Sequence, residues 1–294
     1  TIGRYRLRYV DVGSGPAVVL IHGLAGDHTA WRTQIDMLKE RHRVIAFDNR
    51  GAGASSQVDE PVSTRDLADD TLRLMTLLGI ERAHVVGRSM GGAVAQHMAL
   101  DAPERVASLV LCASFARLDP LGRRVLSNMR EALEWRMRWD DHARHSVQNF
   151  VSAAFFNEQP ERVAMIERLI GGETRLPACY VRQNEACQAH DTLSDLGRIR
   201  QPTLVMAGDA DPICSMTATR WLADGIEGAR LEVFAGASHF FLIEQPDRFN
   251  ALLLDFLSAQ KLPGAASAPA GKTRPDLTGP ATGDRRPGGP GLAA

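Results

Sequence analysis

Short apolar runs separated by amphipathic stretches of helical period narrow the folds open to this chain more than any other feature. Ala17–Ile21 is apolar at every position, the pattern of a strand buried on both faces of a parallel sheet. Further short apolar runs follow at Val44–Phe47, His84–Val86, Val106–Cys112, Thr203–Ala207 and Leu231–Phe234. Arg4–Val12 alternates instead, with Tyr5, Leu7 and Tyr9 on one face and arginines on the other, and reads as a half-exposed strand. Between the runs, Thr29–Lys39 places Trp31, Ile35 and Leu38 on one helix face. Asp66–Leu78 does the same with Leu67, Leu74 and Leu78, and Asp247–Leu257 with Phe249, Leu252, Leu253 and Phe256. Strand alternating with helix predicts an α/β fold, a mainly parallel central sheet flanked by helices.

From Phe115 to about Arg200 the rhythm stops. No convincing strand occurs there, and the segment is helical and rich in Arg, Trp, Phe and His. We expect residues 115–200 to form a helical cap over one sheet edge, with 1–114 and 201–260 forming the core. Residues 261–294 hold 6 Pro, 7 Gly and no aromatic residue, too little apolar surface to offset the entropy of ordering, and are expected to be a disordered tail.

Charge excludes several partners. With 34 Lys+Arg against 35 Asp+Glu the formal charge is −1, which gives no electrostatic reason for a nucleic-acid or anionic-membrane partner. No apolar run approaches the roughly 18 residues that cross a bilayer. Cys112, Cys179, Cys187 and Cys214 form neither a C-x-x-C pair nor a zinc-like cluster, and no leader precedes the first strand. Reduced thiols and a cytoplasmic location are the expectation, with no metal and no organic cofactor.

The segment His84-Val-Val-Gly-Arg-Ser-Met-Gly-Gly holds G-x-S-x-G in the setting the motif needs, a strand before and a helix after. Such a turn lifts the Ser89 hydroxyl to the C-terminal edge of the sheet, at a helix N-terminus where the dipole favours negative charge. Serine is a weak nucleophile and needs a base with its own orienting group. Leu204–Ile213 ends a strand and offers Asp209 and Asp211. Phe234-Ala-Gly-Ala-Ser-His239 leaves the last strand and offers His239. The order Ser…Asp…His is the one this architecture uses. His22-Gly-Leu-Ala-Gly26 follows a buried strand, so the amides of Leu24 and Met90 are the expected oxyanion donors. His22 and the remaining histidines read as surface, turn or packing residues.

Taken together, HGLAG (22–26), FDNRGAGAS (47–55), GRSMGG (87–92), GDADP (208–212) and SHFFLIEQP (238–246) resemble the α/β-hydrolase superfamily from Arg4 to about Gln260, apart from the cap. The resemblance implies a cap inserted after the sixth strand, Ser89 as nucleophile, His239 as base and Asp211, at the fourth position of G-x-x-D, as acid. Asp48 and Arg50 match a structural turn, and Glu244 and Pro246 the turn and start of the last helix. Ser89 speaks against the dehalogenase and epoxide-hydrolase branches, which place Asp there. The SMGG elbow, the HGLAGD start and the cap are most similar to 3-oxoadipate enol-lactonases and small carboxylesterases. The implied activity is hydrolysis of a small-molecule carboxylic ester or lactone through an acyl-enzyme. A C–C bond hydrolase or thioesterase with the same triad, or a ligand-binding sensor on the same fold, are the alternatives. Arg88 departs from the branch pattern and reads as structural, with a substrate-facing role as the alternative. In the cap, Trp135, Trp139, Phe155 and Phe156 could wall an apolar pocket, while Arg182, Gln183 and His190 could orient a polar substrate.

Overall fold

The computed structural model describes residues 1–58, 60–171 and 177–260; the segment expected to be a disordered tail, 261–294, lies outside the described residues. Seven strands form one sheet: β1 Tyr9–Val12, β2 Ala17–Ile21, β3 Arg43–Phe47, β4 Ala83–Arg88, β5 Val106–Cys112, β6 Thr203–Gly208 and β7 Arg230–Phe234. Their spatial order is β1-β3-β2-β4-β5-β6-β7. Only β1 runs antiparallel to its neighbour, pairing Tyr9 with Phe47 and Val12 with Val44. Every other pairing is parallel, so β2, β4, β5, β6 and β7 end at the same edge.

The first strand is shorter than the alternation of residues 4–12 suggests. Arg6 and Arg8 donate their amides to the hydroxyls of Ser56 and Ser55, and Arg6 O accepts from Ser56 N. The chain is held there by the loop after β3 rather than by a strand, so the ladder begins at Tyr9.

Period two along the strands divides the interior into two layers. Val19, Ile21, Val85, Leu109, Leu111 and Val205 face one way and pack on α2 (Thr64–Leu77), α3 (Met90–Asp101) and α9 (Met216–Gly225). Val18, Leu20, Val86, Val110, Leu204 and Met206 face the other way. They meet Trp31 and Leu38, at the start and end of α1 (Arg32–Leu38), with Phe241 of α10 (Phe241–Glu244) and Phe249 and Leu253 of α11 (Pro246–Ala259). α2 begins with a capping box in which Ser63 and Asp66 exchange side-chain and backbone bonds.

Between β5 and β6 lies a helical insert: α4 Pro120–Glu134, α5 Trp139–Val147, α6 Ala153–Glu158, α7 Pro160–Gly171 and α8 Pro177–Ala189. The strand it follows is the expected one, Val106–Cys112, which is fifth rather than sixth in this chain because only one strand precedes β2. The insert has its own small core of Val147, Val151, Phe155, Val163 and Ile166, packed against Phe240 and Ile243 of the main body. Among the described residues no helix is long and apolar enough to cross a membrane.

Candidate active site

Ser89 sits between β4 and α3 with φ 52° and ψ −120°, a conformation that costs a non-glycine residue roughly 1–3 kcal/mol. The surroundings hold it there. Ser89 N donates to Cys112 O at 2.8 Å, and Ser114 Oγ donates to Ser89 O at 2.9 Å. The glycines flanking the serine are required by close approach: a Cβ at Gly87 would lie 2.3 Å from Gly91 O, and one at Gly91 would lie 2.2 Å from Ile21 O. The Ser89 side chain makes no capping bond to α3. Met90 is the first residue of α3, so its amide belongs to the N-terminal donors that have no acceptor within the helix.

β6 and β7 bring the other two side chains to the same edge. His239 Nδ1 lies 2.8 Å from Asp211 Oδ2, with both residues 4% exposed. Asp211 Oδ1 accepts the amides of Ile213 at 2.8 Å and Cys214 at 2.9 Å, so the carboxylate is oriented before it meets the imidazole. Asp209 does something different: its Oδ1 accepts Gly236 N at 2.7 Å and pins the loop after β7. The insert braces the histidine as well. Glu244 Oε1 accepts Ser238 N at 2.9 Å and Ser152 N at 3.2 Å, and Phe240 N donates to Phe150 O at 2.7 Å. Glu244 therefore holds the residue next to His239, a task its sequence position does not advertise.

Ser89 and His239 open on one cavity of about 300 Å³, lined by Leu24, the buried Arg88 and His22 from the core, and by Leu126, Met129 and Phe150 from the insert, among others. Leu24 lies in the loop after β2, where Ala25 takes φ 56°. Gln183 of α8 secures that loop, accepting Ala25 N at 2.8 Å and donating to Arg50 O at 2.8 Å. Asp48 and Arg50 serve the adjoining turn. Asp48 accepts from His28 and Ala54, and Arg50 pairs with Asp70 at 2.7 Å. The hydrogen bond that His28 donates to the Asp48 carboxylate raises the His28 pKa above its ordinary value.

The sequence-predicted insert residues separate clearly. Trp139 lines the cavity and donates Nε1–H to Ile170 O. Trp135 ends α4 and is 79% exposed. Phe155 is buried in the core of the insert, and Phe156 is half-exposed. Arg182 pairs with Glu185 on its own helix. His190 lies between Thr64 and Thr192, away from the cavity, where burial pushes its pKa down to about 3. Several residues that the sequence did not single out line the cavity, among them His142, stacked on Trp139 at 5.1 Å with Nε2 bonded to Met129 O, and Ser146 one turn later. Their i, i+4 spacing is a signal, but only the docked position of α5 shows which way that face points.

Arg88 does not behave as a paired structural cation. It is 4% exposed; Nη1 lies 3.2 Å from His22 Nε2, and the guanidinium carbon lies 4.1 Å above the Phe240 ring.

Among the described residues, two groups of side chains could bring three metal-ligating atoms together: Asp211, Cys214 and His239, and Asp27, His28 and Asp48. Each is already committed to the protein. Asp211 serves two amides and His239, and Cys214 Sγ donates to Ala113 O at 2.9 Å. Burial holds that thiol well above the usual range, which leaves it a poor ligand. Asp27 Oδ1 accepts from Thr29, and both oxygens of Asp48 are engaged.

A strained serine on a strand–helix elbow, a histidine bonded to a buried aspartate and a helical insert over the sheet edge define a class of protein. The chain belongs to the alpha/beta hydrolase fold family, whose model matches residues 16–246. A provisionally named carbamate hydrolase, RutD, of Caulobacter sp. (strain K31) is 31% identical over 271 residues, covering 86% of this chain and 96% of the relative. The 3-oxoadipate enol-lactonase 1 of Acinetobacter baylyi is 30% identical over 250 residues, covering 84% and 90%. Among solved structures, the enol-lactonase of Burkholderia xenovorans LB400 superposes with a TM-score of 0.80 at 29% identity, covering 87% of this chain and 98% of that one.

Proposed function

We propose that the protein is a serine hydrolase that cleaves a small-molecule carboxylic ester or lactone through an acyl-enzyme. One observation carries the reading: the bond between His239 Nδ1 and a buried, doubly anchored Asp211 in the wall of the cavity that Ser89 also lines. With Nδ1–H donated to Asp211, Nε2 is the free base of the imidazole. It takes the Ser89 proton as Oγ bonds to the carbonyl carbon. The oxyanion meets the amides of Leu24 and Met90, and removing one such donor typically costs about 2.7–4 kcal/mol of transition-state stabilisation. His239 then protonates the leaving oxygen as the C–O bond breaks. Water, deprotonated by the same nitrogen, displaces Ser89 and releases the acid.

The domain assignment is part of the proposal. Residues 1–114 and 201–260 are the hydrolase core, and 115–200 act as a cap that supplies much of the cavity wall and so selects the substrate. The names of the enol-lactonase relatives support the ester and lactone classes. The name of the Caulobacter relative favours a second reading, a carbamate opened by the same steps.

Short-chain p-nitrophenyl esters separate an enzyme from a binding protein. The wild type should release a burst of p-nitrophenol that Ser89→Ala abolishes. A panel of esters, lactones, thioesters and carbamates then ranks the carbonyl classes by kcat/KM. No Ser89-dependent turnover of any ester or lactone sinks the reading, and turnover of carbamates alone transfers it to the second.

A further inference from the structure

The residue before the nucleophile is the unexplained one. Two arginines line the cavity, and they differ in kind: Arg32 is exposed, whereas Arg88, the last residue of β4, is buried beside Ser89. A guanidinium carries five N–H donors and is never an acceptor. Among the described residues Arg88 makes one hydrogen bond, from Nη1 to His22 Nε2, and Nε is buried without a partner. No carboxylate of the described residues lies within ion-pair distance of it. Asp211, whose field reaches it, is already held by His239 and two amides. Phe240 offers the face of its ring, a weak compensation for a desolvated cation.

Such an arrangement is costly for folding. A buried cation without an anion gives up hydration that a methionine of similar length would never have had. Burial lowers the Arg88 pKa only to about 10, so the group remains charged at neutral pH. The wall is mostly apolar, with Leu24, Leu126, Met129, Phe150 and Ile213, although His142, Ser146 and Tyr180 also line it, and Arg88 is the buried arginine beside the serine.

We propose that Arg88 is an anion-binding specificity residue: the substrate is an ester or lactone that carries a carboxylate, and Arg88 receives that carboxylate while Ser89 attacks the neighbouring carbonyl. The inference rests on the hydrolase reading of Ser89 and adds the charge of the substrate to it. A planar guanidinium with unfilled donors matches a carboxylate in two-point geometry, which an ammonium cannot reproduce. The mostly apolar wall favours a compact chain or ring for the remainder of the molecule. The product then bears two carboxylates, one from the substrate and one released by hydrolysis.

The test uses pairs that differ in one charge. Mono-p-nitrophenyl glutarate and its methyl ester present the same scissile bond, with and without a carboxylate. The wild type should favour the anionic member by roughly 10- to 100-fold in kcat/KM, the range of hydrogen bonds to a charged group. Arg88→Met should bring the ratio to about one, and Arg88→Lys should restore part of it. A second arm needs no turnover and no change at Arg88. In Ser89→Ala, calorimetry should show monomethyl glutarate binding at least about tenfold more tightly than dimethyl glutarate. Absence of turnover with preserved anion preference in calorimetry overturns the hydrolase reading and leaves the subsite standing. Equal kcat/KM for the two esters in the wild type, or equal binding of the two probes in Ser89→Ala, overturns the subsite whether or not Arg88→Met folds.

Discussion

Replacing Asp211 with asparagine gives a sharp test of how the histidine is held. Asp211 Oδ1 accepts two amides, from Ile213 and Cys214, and Oδ2 accepts His239 Nδ1–H. In Asp211→Asn the side-chain oxygen must stay with the two backbone donors, since an NH2 group there would face two N–H groups. The NH2 group is then turned toward His239, 2.8 Å from Nδ1. Two donors cannot share that contact, so Nδ1 becomes the acceptor and the imidazole proton moves to Nε2. The base that should take the Ser89 proton is then occupied. Loss of the correct tautomer in a triad of this kind costs about 10⁴ in kcat, or roughly 5.5 kcal/mol at 1.36 kcal/mol per tenfold. Both amide bonds survive, so melting should move by only a few degrees. Asp209→Asn is the matched control. Its oxygen can still accept Gly236 N, and it should cost less than about threefold. Steady-state hydrolysis of p-nitrophenyl acetate, corrected for active-site concentration, reads both. Activity of Asp211→Asn above a tenth of wild type, or an equal loss in Asp209→Asn, refutes the tautomer argument.

Two other outcomes follow from the same contacts. Gln183→Leu removes the acceptor of Ala25 N and frees the loop that carries the Leu24 amide. It should lower kcat about 10- to 100-fold with little change in KM, and an unchanged kcat removes Gln183 from that role. Buried His84 and His190 have pKa values lowered by desolvation to about 4 and about 3, against about 6.5 in an unfolded chain. Between those limits the unfolded state binds more protons, so stability falls on acidification from about pH 6.5, by up to about 1.4 kcal/mol per pH unit per histidine. Urea unfolding at about pH 7, 6 and 5 should show a shallower fall in His190→Gln than in wild type. Parallel curves contradict the assignment.

The sheet was legible because strands buried on both faces leave few polar positions, as in Ala17–Ile21, and six short apolar runs interspersed with helices permit few topologies. The meeting of Ser89, Asp211 and His239 at one edge was legible for a related reason. Each follows a parallel strand, and parallel strands end together. The insert was not legible in this detail. Trp135 and Trp139 are four residues apart in similar sequence, yet one is 79% exposed and the other lines the cavity, because α4 ends at Glu134 and the chain turns through Arg136 at φ 64°. His142 and Ser146 share a helix face whose direction depends on how α5 docks, which no local pattern encodes. Arg88 was visible as a departure, but its lack of a carboxylate partner is a property of the packed surroundings.

The bonds from Gln183 to the loop after β2, and from Glu244 to Ser152, bear on how such proteins can be recombined. The insert and the sheet edge that carries Ser89 and His239 are cross-wired by hydrogen bonds that start in one segment and end in the other. A chimera that grafts residues 115–200 of a relative onto this sheet would exchange part of the cavity wall and release the loop after β2 in the same step. Transplants should succeed only when the donor segment brings a glutamine at the position of Gln183 and a residue other than proline at that of Ser152, whose backbone N–H meets Glu244. New specificities are then more accessible by point changes at positions such as Leu126 and Met129, whose side chains line the cavity.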